Sequence, residues 1–167
     1  HGGTEIVSVE ADGDVRRSDW AGVGVNARRL GSALQKHDIG IGDRVGTLAW
    51  NQQRHLEIYF GVSGAGMICH TINPRLFADQ LVYIICHAAD RVVFLDKCFV
   101  PVIAPLLGEL SHVEHWFLLG SIDDECAAAI PGLKSYDELI ASGDPSFSWP
   151  DHEETLASSL CYTSGTT

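Results

Sequence analysis

Apolar runs and amphipathic segments alternate along this chain of 167 residues, and that alternation restricts the fold more than any other feature. Short, nearly continuous apolar runs predict strands buried on both faces, at residues 44–50, 67–72, 91–96 and 113–119. Segments with helical spacing lie between or after them, at residues 53–66, 79–88 and 100–110. Strands that alternate with helices through short connections are typical of a parallel sheet. The sequence therefore predicts an α/β fold, with a mostly parallel sheet flanked by helices.

The first forty residues predict a hairpin followed by an amphipathic helix. Two strand-like segments surround the turn Asp12–Gly13–Asp14, and Asp-Gly between alternating segments is a strong hairpin signal. Ser18 or Asp19 is placed to cap the helix, which we expect Gly40 and Gly42 to end. The residues of its apolar face recur at spacings of three and four: Trp20, Val23, Ala27, Leu30 and Leu34.

The regular pattern loosens after residue 120. Three prolines and two glycines surround one short helical stretch at 135–141, and an acidic cluster occupies 151–154. We interpret residues 121–155 as an irregular acidic connector inside a single domain portion that covers residues 1–167. A last strand is predicted at 157–163, and it leads directly into a loop rich in Ser, Thr and Gly.

Composition argues against two classes of function. A formal net charge of −11 with scattered basic residues disfavours nucleic acid as a partner, and no apolar run approaches the roughly 18 residues that cross a bilayer. The five cysteines lie mostly within apolar runs, which predicts buried free thiols in a reducing compartment and hence a cytoplasmic protein. The chain starts at His1 without a leader, so we expect either processing or a piece of a longer chain.

Four local patterns that could suggest a site have more ordinary interpretations. Gly22–Ala27 matches a dinucleotide fingerprint, but it lies within the amphipathic helix, whereas that motif must follow a strand. Gly61–Ala65 lacks the last glycine of a nucleophile elbow, and its small residues suit close packing of a helix on a sheet. The histidine and cysteine pairs lack the second pair that a zinc site needs. Asp123–Glu125 is expected to be a solvated face.

The loop that follows the last strand carries the main functional signal. Gly165 permits backbone angles that other residues avoid, and successive backbone amides of such a loop can form an anion-binding concavity. The hydroxyl groups beside it can also reach phosphate oxygens. The loop is not a Walker motif, whose spacing is absent. From the residues alone, a plain Ser/Thr-rich turn is an equal alternative. The candidate phosphate-binding residues are Thr163, Ser164, Gly165, Thr166 and Thr167.

Residues 162–167, YTSGTT, resemble the start of the phosphate-binding motif of the adenylate-forming superfamily, which includes acyl-CoA synthetases. Further segments are similar to that superfamily in order and spacing, at 19–51, 64–76, 79–96 and 113–119. The stretch HTINPRLFADQLVYII is similar to the branch of medium- and long-chain fatty acyl-CoA synthetases and to relatives acting on short thioether acids. The resemblance identifies the chain as an N-terminal portion of the large domain of such an enzyme, ending within the phosphate loop.

The resemblance implies a ligase that joins a carboxylic acid to CoA through an acyl-adenylate, with ATP, Mg²⁺ and CoA as substrates or cofactors. It places Thr163 to Thr167 against the β- and γ-phosphates and gives Thr163 a second role as a metal ligand. It gives Asn73–Pro74–Arg75 a structural role, and we interpret Cys161 and Tyr162 as packing residues. No catalytic residue is assigned within residues 1–167, so this portion alone is expected to be inactive.

Two alternatives stay open. The chain could be a short non-catalytic paralogue that serves as an interaction or dimerisation module. It could also belong to an adenylating ligase for an aryl, short-chain or methylthio acid rather than a fatty acid, because the residues that line the acid pocket would lie later. Because dimerisation is common in that superfamily, the resemblance also allows a homodimer.

Overall fold

The computed structural model describes residues 1–10 and 13–163. The strands are β1 Glu5–Val9, β2 Val15–Asp19, β3 Arg44–Leu48, β4 Ile68–Thr71, β5 Val92–Leu95, β6 His115–Leu118, β7 Lys134–Ser135 and β8 Ser159–Cys161. The helices are α1 Trp20–Gln35, α2 Gln53–Gly64, α3 Ala78–Ala88, α4 Val100–Ile103, α5 Asp124–Ala129 and α6 Tyr136–Ser142. The predicted alternation of strands and helices is confirmed.

Strands β3 to β8 form one six-stranded sheet with the order β7-β6-β5-β3-β4-β8, and each neighbouring pair is parallel. Strand β3 lies near the centre, where Val45 pairs with Cys69 on one side and Val92 on the other. Apolar clusters cover both faces of the sheet, as continuous apolar strands require. The predicted α/β fold with a mostly parallel sheet is confirmed. Strands β1 and β2 form the predicted antiparallel hairpin beside it.

Helix α1 begins where the sequence predicted and ends earlier. The Asp19 carboxylate accepts a hydrogen bond of 2.7 Å from the Gly22 amide, as an N-cap does. The helix ends at Gln35, not at the glycines, because the Leu34 carbonyl accepts from the Ile39 amide and Asp38 takes a left-handed conformation (φ 59°). The predicted apolar face is buried except for Trp20, which is 42% exposed.

Gly61 of α2 packs against a helix and not, as predicted, against the sheet. A Cβ at Gly61 would lie 2.9 Å from the Ala27 carbonyl oxygen of α1, so glycine permits this close approach. The motif at Gly22–Ala27 lies within α1, which confirms the helical interpretation.

The interpretation of 121–155 as irregular is wrong for α5 and β7, whereas the short helix predicted at 135–141 is confirmed as α6. Asp123 caps α5 by accepting from the Cys126 amide at 2.9 Å, and β7 extends the sheet beside β6. The helix predicted over 100–110 is also shorter than expected. It is the single turn α4 between two 3₁₀ turns, because Pro101 and Pro105 lack the amide donors of a longer helix.

The prediction of buried thiols is only half right. All five cysteines are free, and Cys69 and Cys126 are buried, but Cys86, Cys98 and Cys161 are exposed. Apolar neighbours in sequence mislead here, because an exposed position of a helix or an edge strand can follow directly after a buried one. Within the described residues, no helix has both the length and the apolar character to cross a bilayer.

Candidate functional site

The last described residues emerge at the carboxyl edge of the sheet. Strands β4 and β8 run in parallel and pair Thr71 with Cys161, so the segments that follow both strands leave the sheet side by side. In open α/β sheets, ligands bind outside the carboxyl ends of the strands. This edge is therefore where a ligand is expected, and Tyr162 and Thr163 follow β8 directly into it.

A pocket of about 440 Å³ opens at this edge, and we call it the β4–β8 pocket. Thr163, the first residue of the predicted phosphate loop, lines it and is exposed. The other four predicted residues, Ser164, Gly165, Thr166 and Thr167, lie outside the described part of the chain. Tyr162 lines the pocket beside Thr163. The other lining residues come from the end of β4, from α3 and from the loop between them: Thr71, Asn73, Leu76, Asp79, Gln80, Tyr83 and Ile84.

The chemistry of this lining is mainly neutral. Hydroxyl and amide groups come from Thr71, Asn73, Gln80 and Thr163, and Asp79 is the one charged residue among the described residues that line the pocket. The resemblance implied a structural role for Asn73, and its side-chain oxygen does accept from the Arg75 amide at 3.0 Å, which orders the turn. The prediction missed that Asn73 also lines the pocket. No local signal could show this, because the parallel pairing of β4 with β8 brings the two segments together.

Tyr162 anchors the chain just before Thr163. Its hydroxyl lies 2.6 Å from Nδ1 of His87 on α3, and its ring lies over the His70 ring with centroids 5.2 Å apart. Burial raises the pKa of the Tyr162 phenol. The predicted packing role of Tyr162 is confirmed, whereas Cys161 is exposed and the prediction that it packs in the interior is wrong.

Below Tyr162 lies a fully buried pair of polar side chains. His70 Nδ1 is 2.7 Å from Asp90 Oδ2, and both side chains have no solvent exposure. Burial raises the pKa of Asp90, and the hydrogen bond from His70 opposes that rise. A Cβ at Gly46 would lie 3.0 Å from Asp90 Oδ2, so the glycine makes room for the carboxylate. Among the described residues no group of three or more His, Cys, Asp or Glu is arranged to hold a metal ion.

A second concavity of about 540 Å³ lies at the carboxyl ends of β3, β5, β6 and β7, and we call it the β3–β5 crevice. The chain order of the sheet reverses direction between β3 and β5, where ligands often bind. Here, however, Arg54 pairs with Glu10 at 2.8 Å and with Asp137 at 3.0 Å. Buried Asp96 accepts hydrogen bonds from the Trp50 amide and from the Gln52 side chain, and burial raises its pKa. No local sequence pattern indicates this network, because its partners are 44 to 83 residues apart.

The family comparison agrees with the fold. Residues 3–167 match the family described as AMP-binding enzymes. The chain belongs to this family. The resemblance to the adenylate-forming superfamily is thereby confirmed, and it covers all but the first two residues.

The curated relatives include CoA ligases. The chain is 58% identical to the 3-methylmercaptopropionyl-CoA ligase of Ruegeria lacuscaerulensis and 53% identical to the medium-chain-fatty-acid–CoA ligase of Ectopseudomonas oleovorans. Each match covers 100% of this chain and 31% of the relative, so the chain spans about a third of their length. Among solved structures, an anthranilate CoA ligase bound to anthranoyl-AMP superimposes with a TM-score of 0.79. It is 25% identical, over 90% of this chain and 27% of that one.

Proposed function

We propose that this chain functions as part of an ATP-dependent acyl-CoA ligase, in which residues 1–167 form an N-terminal portion of the large domain. The ligase converts a carboxylic acid and ATP to an acyl-adenylate and then forms a thioester with CoA. The observation that carries the proposal is the position of Thr163, at the carboxyl edge of a sheet that belongs to the AMP-binding enzymes. Under this proposal residues 121–155 are an internal part of the same domain.

In the proposed enzyme, the loop that begins at Thr163 binds the triphosphate of ATP. Thr163 and its neighbours Ser164, Gly165, Thr166 and Thr167 donate backbone and hydroxyl hydrogen bonds to the β- and γ-phosphates, which fixes the position of the α-phosphate for attack. Mg²⁺ supplies neutralisation of the phosphate charge, and the Thr163 hydroxyl is the ligand we assign to it. Residues 1–167 contribute binding and orientation, and we assign no catalytic residue among them.

The donor groups around Thr163 fit this role in kind. Phosphate oxygens need hydrogen-bond donors, and the neutral groups of Asn73, Gln80 and Thr71 provide them near Thr163. A pocket lined with carboxylates would repel a triphosphate, and here Asp79 is the one carboxylate in the described part of the lining. A hydroxyl oxygen is also the hard ligand that Mg²⁺ prefers.

Two acid substrates are supported by named relatives. The relative at 53% identity is named for medium-chain fatty acids, which agrees with the fatty acid expected from the sequence. The relative at 58% identity is named for 3-methylmercaptopropionate, which favours the methylthio alternative. We therefore propose a short or medium aliphatic acid, with or without a thioether. We place the enzyme in the cytoplasm, as a monomer or a homodimer.

The test is an exchange assay with the complete protein. Labelled pyrophosphate should enter ATP only when a carboxylic acid is present, and octanoate and 3-methylmercaptopropionate should be compared at equal concentrations with benzoate and acetate. The acid with the highest kcat/KM identifies the substrate class. If no carboxylate in such a panel supports exchange, the ligase proposal is wrong. If only benzoate supports exchange, the protein is an adenylating ligase, but the proposal of an aliphatic acid substrate is wrong.

A further inference from the structure

Among the described residues, strand β8 has only a short pairing in the sheet, although the proposed phosphate loop follows it directly. It lies at an end of the sheet order and pairs only with β4 among the described strands. That pairing has three residue pairs: Cys69 with Ser159, His70 with Leu160, and Thr71 with Cys161. A strand this short at an edge gives little restraint to the residues beyond it, because the ladder ends at Cys161. Tyr162 is the residue that joins the end of this ladder to Thr163.

Tyr162 is restrained by a side chain from another element. The hydroxyl of Tyr162 and Nδ1 of His87 are 2.6 Å apart, across 75 residues of sequence. The His87 ring is itself stacked on the Tyr83 ring, with an interplanar angle of 17° and centroids 5.4 Å apart. Stacking fixes the plane of the imidazole, so Nδ1 is held at the place where it meets the phenol. This bond links α3 directly to the start of the loop.

The location of His87 shows that this bond is not a core contact. His87 is exposed on α3, whose core-facing residues include Leu81, Ile84, Ile85 and Ala88. On its inner side, the Tyr162 ring contacts the His70 ring, and His70 is fully buried together with Asp90. Tyr162 thus lies between a rigid buried pair on one side and an exposed hydrogen-bond partner on the other. Removing the exposed partner leaves the interior intact and releases the outer end of the Tyr162 side chain.

We propose that His87 is a positioning residue for ATP binding, which acts through Tyr162 to hold Thr163 at the edge of the β4–β8 pocket. The inference rests on the proposed function, because it assumes that the loop beginning at Thr163 binds the triphosphate. It goes beyond that proposal by assigning a role to a helix that does not carry the loop. His87 does not touch the nucleotide; it limits the positions that the loop adopts before ATP arrives, which lowers the entropy lost on binding.

The test uses the complete protein and three substitutions: His87→Phe, Tyr162→Phe and the double variant. Each single substitution removes the hydrogen bond and keeps an aromatic ring. The dissociation constant of MgATP, measured by calorimetry without acid or CoA, should rise about fivefold, the usual net effect of one hydrogen bond. In turnover assays the KM for ATP should rise by the same factor, whereas kcat and the KM for CoA change less than about twofold. The double variant should match the single variants, because both remove the same bond.

Two further variants separate positioning from a merely structural role. His87→Asn puts a side-chain amide near the position of Nδ1 and should restore most of the ATP affinity. His152→Phe makes the same chemical change at an exposed histidine whose Nδ1 lies 3.0 Å from the Pro150 carbonyl oxygen, and it should behave as wild type. Hydrogen exchange of the amides of residues 159–167 should quicken in His87→Phe and return to the wild-type rate in His87→Asn.

The outcomes distinguish this inference from the ligase proposal. If wild type exchanges pyrophosphate into ATP but His87→Phe binds ATP as wild type does, the positioning role is wrong and the ligase proposal stands. A lower melting temperature without a change in ATP affinity leads to the same conclusion, because it shows a structural role. Additive effects in the double variant would show that the two residues act separately. If wild type binds no ATP, both proposals are wrong.

Discussion

The two concavities at the carboxyl edge of the sheet are built from different chemistry. The β3–β5 crevice contains opposite charges that pair within the chain, among them Arg54 with Glu10 and Asp137. The β4–β8 pocket has mainly neutral hydroxyl and amide groups, and Asp79 is the one charge that its described residues contribute. The crevice lies where the strand order reverses, which is the usual place for a ligand. Our proposal instead assigns the ATP site to the pocket, because Thr163 lines it.

The contrast shows that the position of a cleft in the sheet does not by itself make it a site. In the crevice the charges are paired within the chain, because side chains that are nearly buried must have partners. Arg54 and Glu10 are 8% and 7% exposed in their side chains, so each satisfies the other. In the pocket, uncharged donors surround a residue that enters a Ser/Thr-rich loop. We therefore expect substitutions in the crevice to change stability and substitutions in the loop to change ATP binding.

The largest effect is expected at Arg54. Arg54→Met keeps an unbranched apolar stem and leaves the Glu10 carboxylate nearly buried without its closest cation, which should cost about 3–5 kcal/mol of unfolding free energy. Urea denaturation of the complete protein measures this change. The control is Arg17→Met, because Arg17 pairs with Glu5 at 2.9 Å but both side chains are more than half exposed. That substitution should cost less than about 1 kcal/mol. Equal losses in the two variants would show that the crevice is not a stabilising network.

The second largest effect is expected at Gly165, in the proposed phosphate loop. Gly165→Val should lower kcat/KM for ATP about 100-fold, because a Cβ obstructs the approach of phosphate to the backbone amides. The melting temperature should change little. The matched control is Gly108→Val, since a Cβ at Gly108 has no heavy atom within 4 Å. Unchanged ATP kinetics in the Gly165 variant would remove the reason for assigning the phosphate site to residues 163–167.

A smaller loss is expected from a buried hydroxyl that supports α2. The Tyr136 hydroxyl donates to Glu57 Oε2 at 2.7 Å, and Glu57 also accepts from Asn26 and Gln53 at 2.9 Å. Tyr136→Phe removes one of three hydrogen bonds to a buried carboxylate, so the free energy of unfolding should fall by about 2 kcal/mol. The dissociation constant of MgATP should not change. A change in ATP affinity would mean that the interior behind the crevice is coupled to the pocket.

The parts of the fold that the sequence predicted are those with a strong local signal. Strands β3 and β5 are continuous apolar runs, and α1 carries both a cap at Asp19 and a periodic apolar face. Helix α5 was missed because it has only six residues and no periodic apolar face. Its N-cap, Asp123, belongs to an acidic run that the sequence indicated as a solvated face. Strand β7 has two residues, too few for a period, and it exists through its pairing with β6.

The candidate site also contains one part that local sequence predicted and another part that it could not predict. Thr163 was predicted from the composition of its own segment, and the resemblance gave that segment a role. The residues that surround Thr163 could not be predicted, because the parallel register of β4 and β8 decides which side chains meet there. The same holds for His87, whose contact with Tyr162 spans 75 residues. Local patterns therefore predict the loop, and tertiary structure decides what positions it.

The smallest effect is a pH dependence in which two aspartates near the crevice should behave in opposite ways. Burial raises the pKa of Asp96 above the value of about 3.9 for an exposed Asp, so its contribution to stability falls as pH rises from there to the raised pKa. The Lys97 ammonium, 2.6 Å away, lowers the pKa of Asp123. The contribution of Asp123 is therefore present above about pH 3.9 and is lost as pH falls from there through the lowered pKa.

The measurement is the difference in unfolding free energy between wild type and each of Asp96→Asn and Asp123→Asn, followed from acid to neutral pH. For Asp96 the advantage of wild type should decrease as the pH rises above about 4, and for Asp123 it should increase as the pH rises towards about 4. Asparagine keeps a hydrogen-bond acceptor at both positions. Loss of an acceptor therefore does not explain opposite pH dependences in the two variants. If the stability advantage of wild type over Asp96→Asn instead grows with pH, the surroundings of Asp96 favour its charged carboxylate rather than disfavour it. The crevice would then hold a favourable site for negative charge, and the contrast with the β4–β8 pocket would no longer rest on internal pairing.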